Sequence, residues 1–96
     1  MNFETHNDSD ISVNGTSLRG HIRVRFSRLC EVFGEPLTGG AEDKVQAEWK
    51  VSFSDGTVAT IYDWKRDGQP LDTIDIWNVG GKSLDAYLAI QEALNK

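Results

Sequence analysis

The sequence predicts an α+β domain in which a small three-stranded antiparallel meander is flanked by an N-terminal and a C-terminal helix, in the order α-β-β-β-α. Three observations lead to it: an alternating apolar hairpin over residues 44–65, a helical repeat of large apolar side chains before it, and a capped amphipathic segment after it. In the hairpin, Val45, Ala47, Trp49, Val51 and Phe53 take every second position, with Gln46, Glu48, Lys50 and Ser52 between them. Such alternation marks a strand with one face buried. Ser54-Asp55-Gly56-Thr57 supplies residues that tolerate positive φ in a tight turn, and residues 57–64 are again rich in β-branched and aromatic side chains.

The length of that turn decides how the second strand faces. A two- or four-residue loop pairs Phe53 with Val58 and Trp49 with Tyr62, and sets Glu48 opposite Asp63. A three-residue loop with a bulge at Gly56 brings Ala59, Ile61 and Asp63 to the Trp49 face instead, and leaves Tyr62 and Trp64 opposite Lys50 and Glu48.

Ahead of the hairpin, Ile22, Phe26, Leu29 and Phe33 are spaced four, three and four residues apart, which predicts one face of a helix starting at His21. Gly34-Glu35-Pro36 stops it, with Gly at the C′ position and Pro just beyond. Residues 1–15 are rich in Asn, Asp, Ser and Thr and are expected as a flexible lead ending in at most one short strand, with residues 16–96 forming a single domain. Residues 37–43 read as the loop into the hairpin and residues 65–70 as the loop out of it. Ile74 and Ile76 alternate with Asp75 and Trp77, predicting a third strand over residues 73–79 that lies at the sheet edge. Ser83 then reads as an N-cap with Asp85 in the first turn, and Leu84, Tyr87, Leu88, Gln91 and Leu94 as the inward stripe of the closing helix.

A chain of 96 residues sits near the lower end of what buries an adequate core without disulfides or metals. The net charge of −5 disfavours duplex nucleic acid and anionic membranes and suits a basic protein surface. Cys30 is the single cysteine, and no Cys or His pair has zinc-ligand spacing, so neither a disulfide nor a metal or other cofactor is expected. The amino terminus has no basic and apolar signal-peptide pattern, and no run approaches the roughly 20 apolar residues of a membrane span. The expectation is a chain that works inside the cell.

Three constellations carry possible chemistry. Arg19, Arg23, Arg25 and Arg28 crowd one short stretch of an otherwise acidic chain, and Arg25 with Arg28, one helical turn apart, form a pair able to grip a phosphate or carboxylate. Gly80-Gly81-Lys82-Ser83 follows a strand and opens a helix, where backbone N–H groups and a Lys bind anions, although the spacing is not that of a Walker motif. Trp64 and Trp77 are aromatics beyond what the core requires once Trp49 is assigned to it, free to stack a base or anchor a partner. His6, His21, Cys30 and the carboxylates form no nucleophile, base and orienting set, so the chain is read as not an enzyme.

The helix ending Leu29-x-x-x-Phe33-Gly34-Glu35-Pro36, the strand Lys44-x-x-Ala47-Glu48-Trp49, the string Asp55-Gly56-Thr57-x-Ala59-Thr60-Ile61-Tyr62-Asp63-Trp64-Lys65 and the closing Trp77-x-x-Gly80-Gly81 together resemble a family of small bacteriophage proteins over residues 16–93. That resemblance implies expression in a bacterial host's cytoplasm and a place among accessory proteins that blunt host defences. Relatives would often carry a His where Asn78 stands; Asn78 keeps a hydrogen bond but not a proton transfer. Joined with the residues above, the expectation is a homodimeric binding protein that sequesters a small phosphate-bearing nucleotide signal through Arg25, Arg28, Trp64, Trp77, Gly80, Gly81, Lys82 and Ser83. The rival expectation is an acidic inhibitor that docks on a host defence protein or nucleic-acid-handling enzyme.

Overall fold

The computed structural model describes residues 2–38, 45–64 and 68–95. In chain order these form β1 (Phe3–Thr5), β2 (Ser17–Arg23), α1 (Phe26–Phe33), β3 (Leu37–Thr38), β4 (Ala47–Phe53), β5 (Val58–Tyr62), a 3-10 turn at Leu71–Thr73, β6 (Ile76–Gly81) and α2 (Leu84–Leu94). The loop expected over residues 37–43 begins instead with β3; residues 39–43, and residues 65–67 of the loop expected over 65–70, lie outside the described residues.

The hairpin turn fixes the sheet. Phe53 N–H donates to Thr57 O at 2.8 Å, and Gly56 takes φ +92°, so the loop has three residues with glycine at its left-handed position. Trp49 therefore lies opposite Ile61 and Val51 opposite Ala59, on the buried face. On the other face Glu48 pairs with Tyr62 and Lys50 with Thr60, one pairing step away from the Lys50–Tyr62 and Glu48–Trp64 partners expected for this loop.

Six antiparallel strands, not three, make up the sheet, in the order β1-β4-β5-β6-β2 with β3 paired to β4. The α+β class holds; the three-stranded meander does not. The first cause is Ile22, whose helical spacing to Phe26 is coincidental: it sits on β2 opposite Trp77, and the helix starts at Phe26. The second is Phe3, which gives the expected flexible lead an anchor. Phe3 pairs with Phe53, and its ring lies 5.2 Å from Phe33 and 5.8 Å from Phe53. β6 is consequently interior, between β5 and β2, so the edge on which a homodimer was expected is covered.

Both helices pack on one face. Phe26 of α1 sits 5.8 Å from Trp49 and stacks at 6.1 Å on Trp77, and the two tryptophans meet edge-on at 5.4 Å. Trp49 Nε1 donates to Gly34 O and Trp77 Nε1 to Ile74 O, so neither indole is buried without a partner. α2 turns Ala86, Ala89, Ile90 and Ala93 to the sheet; of the expected stripe Tyr87 and Leu94 pack against the core in part, while Leu84 and Leu88 are exposed. Close approach is the reason: a Cβ on Gly81 would stand 2.2 Å from Ala86 Cβ, so only small residues fit between helix and strand.

Candidate functional site

The expected phosphate grip is not assembled. Arg28 pairs with Glu31 and donates through Nη2 to Leu94 O at 3.0 Å, tying α1 to the C-terminal end of α2. Ser83 caps the other end of α2, accepting from Asp85 N at 3.3 Å. A helix of 11 residues separates those ends by about 16 Å, too far for one phosphate to touch both. Gly80 and Gly81 are strand residues of β6 and not part of a helix start. Arg19 already donates to the carbonyls that follow, reaching Gly81 O through Nε and Lys82 O through Nη2, each at 2.9 Å. Trp77 is 0% exposed and serves the core. Arg25, Lys82 and Ser83 are exposed, and Trp64, just beyond β5, is 44% exposed.

What the fold does bring together is a row across the face opposite the helices. The register aligns Leu37, Glu48, Tyr62, Asn78 and His21 side by side on β3, β4, β5, β6 and β2. Neighbouring strands stand about 4.8 Å apart, so these side chains form one continuous line. Burial pushes the Tyr62 hydroxyl above the usual phenol range; an Asn78 side-chain hydrogen bond offsets this in part, and the Glu48 charge adds to it. A phenol held protonated between an amide and a carboxylate is a hydrogen-bonding anchor. Beside the row, Gly80 leaves Thr60 at the floor of a notch, since a Cβ on Gly80 would lie 2.6 Å from Thr60 Oγ1 and 3.6 Å from the Tyr62 ring.

Side chains and turns mask parts of both sheet edges. Val24 N–H donates to Asp75 O, and antiparallel alternation from that pair points the His21 N–H and C=O away from β6. The Tyr87 hydroxyl donates to that His21 carbonyl, and β2 carries a register shift between Leu18 and Gly20. At the opposite edge, β1 and β3 cover the ends of β4, and His6 fills the gap between them. Its N–H donates to Lys50 O, Lys50 N–H donates to its Nδ1, and its Nε2, left with the proton, donates to Glu35 O at 2.8 Å.

His6, His21, Glu48, Tyr62 and Asn78 were not among the expected site residues. The three-residue loop with a bulge at Gly56 was read as setting Tyr62 outward beside Glu48 and Lys50, and Asn78 was singled out by the resemblance; nothing local marked His6 or His21. Among the described residues, no group of three or more His, Cys, Asp or Glu is placed to hold a metal ion, and no helix is long and apolar enough to cross a membrane. Compared with known proteins, the chain matches no family model, no curated protein and no solved structure.

Proposed function

We propose that this chain is a non-enzymatic binding protein that neutralises a basic protein partner by docking the helix-free face of its sheet. The observation that carries this reading is the row Leu37, Glu48, Tyr62, Asn78 and His21 on a face that neither helix covers. An aromatic group at the centre with polar groups on either side suits a protein contact. The net charge of −5 favours encounter with a partner of opposite sign. Together with the phage resemblance, the partner class is a host defence or nucleic-acid-handling enzyme, whose polyanion-binding surface is basic. The nucleotide-sequestering reading has less support, because its donors stand at two ends of α2 and Trp77 is internal.

The test is capture from bacterial extract on immobilised wild type and on a Tyr62→Ala/Glu48→Lys variant, followed by purification and calorimetric titration of whatever only the wild type retains. The expected result is a basic protein that binds wild type one to one, more weakly as salt rises, and loses the variant. Equal capture by both proteins would overturn the docking surface. A nucleotide released from the purified chain on heating would return the reading to sequestration.

A further inference from the structure

The connection between β1 and β2 has an unusual route. The two strands lie at opposite edges of the sheet, four strand steps or about 19 Å apart, and residues 6–16 join them. Asp10, Ile11 and Ser12 line, together with His6, Leu37 and Lys50, an open pocket of about 390 Å³. Leu37 pairs with Glu48, and Lys50 alternates with the buried Trp49 and Val51, so both project to the helix-free face and the connection runs over it.

Its tethers are unevenly placed. At the β1 end they are dense: beyond the His6 bonds, Asn7 Nδ2 donates to Glu35 O at 3.0 Å and to Phe33 O at 3.4 Å. From Ser9 to Thr16 the bonds are local, such as Ser9 N–H to Thr5 O, Asn14 N–H to Ser12 Oγ and Thr16 N–H to Val13 O. Among the described residues, none of them reaches β4, β5 or β6. Segments whose hydrogen bonds are only local belong to the low-stability end of a fold.

We infer that residues 8–16 form a hinged cover over the helix-free face, held shut by a clasp at His6 and Asn7, which lifts before a partner reaches Lys50 and Thr60. The inference rests on the docking reading for its purpose but not for its test. Shut, the cover narrows access to Lys50 and Thr60 and leaves the row from Leu37 to His21 open. Lifted, it extends that surface across β4 and β5 without disturbing the core, because the helices and both tryptophans lie on the other side.

The test uses the full chain with Cys30→Ser, to remove the native thiol, and Lys50→Cys as a probe beneath the cover. Under native conditions a thiol reagent should modify Cys at position 50 more slowly than it modifies a free peptide thiol. The rate should be nearly independent of low urea, as expected for an opening that exposes little surface. Adding Asn7→Ala should raise it about tenfold, the equivalent of losing one net hydrogen bond. His6→Ala should do the same by a second route. Labelling as fast as a free thiol would mean that the segment shuts nothing. A urea dependence equal to that of global unfolding, or no acceleration in either clasp variant, would mean that it does not open on its own. No partner is needed, so failure of the docking reading leaves these outcomes intact.

Discussion

Tyr87 on α2 and His21 on β2 are joined across 66 residues of chain by a 3.1 Å hydrogen bond from the phenol to an outward-facing strand carbonyl. The Tyr87 ring reaches that carbonyl by lying over Gly20, where a Cβ would stand 2.8 Å from it, and Gln91 Nε2 holds the hydroxyl from the other side at 3.0 Å. Exposed edges template further strands, and this one is masked by a side chain from the covering helix. Tyr87→Phe should lower stability by about 0.5–1.5 kcal/mol and increase self-association at high concentration. Urea midpoints and light scattering measure the two effects; a mass unchanged from wild type would show that the hydroxyl does not guard the edge.

Trp49→Ala should cost on the order of 3–5 kcal/mol, because the residue is 0% exposed and its loss strips Phe26 and Trp77 of their shared neighbour. For a domain of about 5–15 kcal/mol total stability this is severe. Chemical denaturation decides it, and a small shift would contradict the packing.

Gly81→Val should destabilise by roughly 1–3 kcal/mol through overpacking against Ala86. Gly81→Ala combined with Ala86→Gly should recover part of the loss of Gly81→Ala alone, despite the helix cost of glycine. A double-mutant cycle with no coupling would mean that the two positions do not touch.

Tyr62 sets an alkaline limit. Its folded pKa is raised, chiefly by burial, so the fold retains the proton where the unfolded chain has lost it. That contribution is complete below the ordinary phenol value of about 10 and is lost as pH rises through the higher folded value. Tyr62→Phe should flatten the alkaline decline in stability, so that wild type loses stability relative to the variant as pH rises. Parallel curves would remove Tyr62 as the cause.

Asp63 is buried with its Oδ1 accepting from Gln46 N at 2.8 Å and Ala47 N at 3.0 Å. Asp63→Ala should cost about 1–3 kcal/mol by leaving those amides unpaired at the start of β4. Faster hydrogen exchange at Gln46 and Ala47 would localise the damage; exchange at the wild-type rate would argue against it.

Signals that act within one element were legible where no distant partner overrides them. The facing of β4 was legible because each position from Ala47 to Phe53 alternates, and Gly34 and Ser83 announced the helix ends they cap. β2 was hidden because its buried side is Gly20 and Ile22: one is small to admit the Tyr87 ring, and the other imitates a helical repeat. The inward face of α2 was misjudged because leucines outrank alanines in apolarity, while the selection of alanines depends on Gly81 across the interface. The composite anion site failed for a related reason: Arg28 and Ser83 are each placed by α2, but at its two ends.

The distribution of the three tryptophans gives the molecule its own optical reporter. Trp49 and Trp77 are sealed in the core, while Trp64 is 44% exposed two residues beyond Tyr62. A water-soluble quencher should therefore extinguish one emitting component, red-shifted by solvent, and spare a bluer one. Docking beside Tyr62 would dim access to the red component alone, and unfolding would merge the two. Binding and denaturation can thus be followed separately on the unlabelled chain.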